Sequence, residues 1–130
     1  MIIWIMTGKA LLVKSKKWGN GGCFDQEQGI IEYGSLHGLR HELQHLHDYK
    51  AGNRHPVRME IRAYLGDIYY GAMGETYKQY LREFGVVRWL QNIMKYDSHI
   101  SKVDVFNPKF HVWVEWEMKA MGYTRSDLKG

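Results

Sequence analysis

Apolar positions come in two rhythms along this chain, and the change falls near Gly34-Ser35. Before it, short apolar runs predict strands at Ile2 to Met6 and at Ala10 to Lys14, with Thr7-Gly8-Lys9 as a hairpin connection. Trp18 to Gly22 is a glycine-rich loop that interrupts regular structure, and a third strand is expected from Gln28 to Tyr33, centred on β-branched Ile30 and Ile31. After the change the spacing is helical. Ser35 suits an N-cap, and Leu36, Leu39, Leu43 and Leu46 recur as an apolar stripe ending near Tyr49 or Lys50, with Gly52 or Asn53 in the cap. Pro56 opens a second helix carrying Met59, Ile61, Leu65, Ile68 and Ala72. It extends towards Tyr80 and Phe84, with Gly71 and Gly74 weakening its middle. Val86 to Tyr96 reads as a third helix. Phe110 to Met121 reads as a fourth, with Val112-Trp113-Val114 a competing strand.

These elements predict an α+β fold: a small antiparallel N-terminal sheet packed on a helical layer. The 130 residues, 45% of them hydrophobic, fit a single domain spanning 1–130 with a core of its own. One cysteine, Cys23, rules out an intramolecular disulfide and a cysteine-based zinc ribbon. The net charge of +4 is too small to point to nucleic acid, and its one cluster, Lys14, Lys16 and Lys17, reads as a solvated strand end. No run approaches the roughly 20 apolar residues of a membrane span, and no signal peptide is recognisable. The expectation is a protein that does not engage membranes, cytoplasmic or delivered as an effector.

The histidines change the picture. Five of seven fall between His37 and His55, and among them His41-Glu42-Leu43-Gln44-His45 matches H-E-x-x-H. Residues four apart on a helix share a face, so both imidazoles can reach one Zn²⁺. The glutamate beside the first histidine is placed to take a proton from water activated by that ion. Composition alone yields roughly 0.02 such matches per chain of this make-up, and the position inside an amphipathic helix adds weight. Gln44 stands where an apolar residue is commoner.

A catalytic zinc site needs a third protein ligand. Glu60 is the choice, because an antiparallel helix pair would bring the first turn of the second helix near His45. Asp48, at i+3 from His45, and His55 are rivals. Ala51 occupies the place where a metzincin would have its third histidine. His37 lies too far along the helix to join His41 and His45 on one ion.

His41-Glu-Leu-Gln-His45, the Asp48-to-Gly52 segment and Glu60-Ile61-Arg62-Ala63-Tyr64 together resemble the core of zincin metallopeptidases. They are most similar to the compact gluzincin-like domains of phage proteins and bacterial toxin or effector modules. The resemblance covers about Ile30 to Gly71 and implies a minimal zincin-like fold. It implies His41, His45 and Glu60 as Zn²⁺ ligands, Glu42 as general base and a peptide or protein substrate laid along the Gln28–Tyr33 strand. The family often places an aspartate four residues after the third ligand. Tyr64 stands there, so Asp67 or Asp48 would have to support a zinc histidine from outside the coordination sphere. Two further readings stand beside it: a catalytically inactive zincin-like binding or accessory protein of a phage or toxin system, and, less favoured and resting only on the +4 charge and a few aromatics, a nucleic-acid-binding module.

Overall fold

A computed structural model describes residues 2–5, 8–19, 21–71 and 74–128. It divides into two compact units, Met1–Arg54 and His55–Gly130.

The first unit is a four-stranded sheet with one helix. The strands are β1 (Ile2–Ile5), β2 (Gly8–Lys14), β3 (Gly22–Asp25) and β4 (Ile30–Tyr33), in the order β1-β2-β4-β3. β1 pairs antiparallel with β2 and β3 antiparallel with β4, but β2 and β4 run parallel, with Leu12 opposite Ile31. The sheet is therefore mixed, not antiparallel as expected. The chain leaves β2 through a short 3₁₀ turn at Lys16–Trp18, forms β3 at the edge and returns as β4 between them. Asp25 builds that return, its Oδ1 accepting from the Glu27 and Gln28 amides at 3.0 Å. Gly8 and Lys9, expected in the hairpin turn, belong to β2, and Thr7 lies outside the described residues.

One face of the sheet is closed by α1 (Leu36–Lys50), which packs on β3 and β4. Leu12, Ile31, Tyr33 and Leu46 form the core, with Phe24, Leu39 and Leu43 against them. Leu11 and Val13 alternate to the open face and are exposed. Ser35 caps α1 as expected, its Oγ accepting from the Gly38 amide at 3.2 Å. The buried stripe differs from the expected leucines. Leu36 is exposed, and Gly38, Glu42, His45 and Leu46 face inward.

The second unit is helical: α2 (Pro56–Tyr69), α3 (Glu75–Phe84), α4 (Val86–Met94), α5 (Lys102–Val105) and α6 (Phe110–Met121). Pro56 opens α2 as predicted, whereas the expected run through to Phe84 is broken into α2 and α3 around Gly71 and Gly74. Ala72 lies outside the described residues. Gly85, at φ +86°, separates α3 from α4 in a conformation that side chains resist. α2 packs on α6 and α3 on α4, around a core including Ile61, Leu65, Trp89, Leu90 and Phe110. Phe110 to Met121 is helix, so Val112-Trp113-Val114 is no strand. The α+β class holds.

Candidate metal centre

α1 presents the chemistry in its middle turns, away from either end. His41, Glu42 and His45 each offer a ligand atom, and these atoms all lie within 4.8 Å of one another. The two imidazole rings stand 4.8 Å apart, centroid to centroid, at 81°. His41 is half-buried, while Glu42 and His45 are 8% and 9% exposed. A tetrahedral ion with bonds of ~2.0–2.1 Å wants its ligand atoms about 3.4 Å apart, so the three side chains would draw together on binding one. Two imidazoles and a carboxylate suit Zn²⁺ and other borderline divalent ions, so the donor set fits a metal.

β3 lies directly against this group. A Cβ at Gly22 would sit 2.9 Å from Glu42 Cγ and 2.7 Å from the Glu32 carbonyl oxygen. The sequence signal was present in the glycine run, which reads as a plain loop. Its last member starts a strand and makes room for the glutamate.

The other predicted residues are distributed as follows. Asp48, 2% exposed, accepts from Gln44 Nε2 at 3.0 Å and lies 3.3 Å from His47 Nδ1. That contact gives Gln44 a structural reason to be polar. His55 belongs to the second unit as the N-cap of α2, its Nδ1 accepting from the Arg58 amide at 3.3 Å, with its ring edge-on to Trp113. Glu60, Tyr64 and Asp67 stand on α2, all partly buried. His37 and His47 are exposed on α1. Of the lysine cluster, Lys17 pairs with Glu32 at 3.5 Å.

Cys23, the exposed residue after Gly22, registers the site's charge. Burial raises its thiol pKa, and the carboxylates of Glu42, Glu32 and Asp25 push it further up, against Lys17. A raised pKa leaves less thiolate near neutrality, so Cys23 should alkylate more slowly than a free thiol at pH 8. Glu42→Gln removes one of the charges holding the proton, so iodoacetamide should modify the metal-free variant faster. An unchanged rate would place Cys23 outside the field of Glu42.

No protein-family model, curated protein or solved structure matches the chain. Among the described residues, no helix is long and apolar enough to cross a membrane.

Proposed function

We propose that the chain is a metal-dependent peptide hydrolase of zincin type. The observation that carries this reading is the convergence of His41, Glu42 and His45 within 4.8 Å on one helix, in H-E-x-x-H spacing. His41 and His45 would hold Zn²⁺ through their imidazole nitrogens. Glu60 is proposed as the third ligand on its place in the sequence and the zincin resemblance. When bound, the ion supplies Lewis-acid chemistry, lowering the pKa of water towards 7 and polarising a carbonyl.

Glu42 does the proton work. Its carboxylate accepts a proton from the water that attacks the scissile carbonyl and returns it to the leaving amine nitrogen. An extended peptide is proposed to add along β3, the strand against α1 that ends the sheet order among the described residues. Gln28 to Tyr33, expected to serve that purpose, forms the inner strand β4 apart from its first two residues.

The test is elemental analysis of the purified full chain, followed by a peptide-library digest with and without chelator. Expected are about one zinc per chain and cleavage that a chelator stops and Zn²⁺ restores. A chain without bound metal overturns the site. A metal-loaded chain that cleaves nothing overturns the hydrolase and leaves a binding protein.

A further inference from the structure

Side chains along β3 alternate. Phe24 turns towards α1 and meets Tyr49 edge-on at 6.1 Å, whereas Cys23 and Asp25 are exposed. Gly22 shares the parity of Phe24, so its missing side chain is one that would have pointed at α1. The Glu42 side chain fills the space this leaves, and the Gly38 carbonyl oxygen bounds it 3.5 Å from where a Cβ at position 22 would stand.

Two groups would be struck by a Cβ there, and they differ in how easily they yield. The Glu32 carbonyl, 2.7 Å away, belongs to β4, whose backbone is held in the ladder between β2 and β3. Glu42 Cγ, 2.9 Å away, can move by rotation about χ1. Rotation at the first torsion swings the carboxylate oxygens, two bonds beyond Cγ, through a larger arc than Cγ itself. Glu42 is the residue that would give way, and its carboxylate would leave the two imidazoles.

We propose that Gly22 is a positioning residue: by lacking a side chain, it lets the β3 backbone form the wall that holds Glu42 in the rotamer aimed at the His41–His45 pair. The catalytic half of this inference rests on the hydrolase reading above. The steric half does not.

The experiment is a cycle of four full-length chains: parent, Gly22→Ala, Glu42→Ala and the double variant. Each is unfolded thermally without metal. Gly22→Ala should lower Tm by several degrees in the parent, as overpacking does, and by clearly less where Glu42 is already alanine. The double variant removes the contact with Glu42 and keeps the one with the Glu32 carbonyl, so part of the Tm loss should persist in the Glu42→Ala background and the difference between the two losses reads the Glu42 share. Cys23→Ala, the exposed neighbour, should leave Tm unchanged. Equal losses in both backgrounds would show that Gly22 does not hold Glu42, and would overturn the proposal.

With Zn²⁺ loaded, Gly22→Ala should keep its metal and KM while kcat falls about 10²-fold, the size expected of a base displaced by ~1 Å. Unchanged kcat alongside steric coupling would overturn the positioning role. A parent that cleaves nothing would fail the hydrolase reading, and the unfolding cycle would still decide whether Gly22 sets the Glu42 rotamer.

Discussion

His45→Ala and His41→Ala are each expected to abolish metal binding and cleavage together, whereas Glu42→Gln keeps the metal and loses only cleavage. The two histidines are ligands in the proposed site, and losing one from a three-ligand set should exceed the ~10–100-fold weakening seen when only a supporting residue is changed. Metal-linked stability goes with it. An ion present at about a thousandfold over its Kd adds about 4 kcal/mol to the folded state, so Zn²⁺ should raise Tm in the parent and in Glu42→Gln but not in the histidine variants. His45→Ala should also lower the metal-free Tm slightly more than His41→Ala, because His45 is the more buried of the pair. Glu42→Gln keeps shape and loses the base, so kcat should fall by 10²-fold or more at near-parental zinc content. Equal zinc loss in all three variants would show that Glu42 is a ligand. That outcome is chemically open, because its carboxylate stands within 4.8 Å of both imidazole donors.

The centre of this site was legible because helix periodicity and metal geometry act locally. Ser35, the residues from His41 to His45 and the end at Lys50 lie on one helix, and spacing along a helix fixes which side chains meet. Pro56 was legible for the same local reason, whereas Gly71 and Gly74 read only as weak points in one long helix that the structure divides into α2 and α3. The sheet was not. β3 is four residues long and opens with the end of a glycine run, and the space that requires glycine there is created by Glu42, distant in sequence. The parallel β2–β4 pair depends on where β4 returns, which no local pattern encodes. α5, only four residues, carries too little periodicity to detect. The leucine stripe misled at Leu36, which is 73% exposed, while Gly38 and Glu42 take the inward positions. Arg58, Arg62 and Glu117 were not singled out at all, since their meeting joins residues more than fifty positions apart.

That last cluster carries the second large prediction: Glu117→Ala should destabilise the chain by less than the ~3–5 kcal/mol of a fully buried ion pair and by more than the ~1 kcal/mol of a surface one, because Glu117 is buried while the Arg58 and Arg62 side chains are 35% and 17% exposed. Glu117 is 2% exposed on α6. Its Oε1 accepts from Arg58 Nε at 2.8 Å and lies 2.6 Å from Arg58 Nη2, and its Oε2 accepts from Arg62 Nη1 at 2.9 Å. Both oxygens are thus engaged by two arginines one turn apart on α2, the stronger kind of charge-assisted contact. Alanine leaves a cavity and two guanidinium groups without their carboxylate. Glu117→Gln should cost less, since its amide oxygen still accepts, although its NH₂ now faces an arginine. Replacing Arg58, Arg62 and Glu117 together with apolar residues of similar volume should recover much of the loss, because no charge is then left buried and unmatched. Chemical denaturation of the full chain measures all three, and a Glu117→Ala loss below ~1 kcal/mol would show the cluster to be screened by solvent.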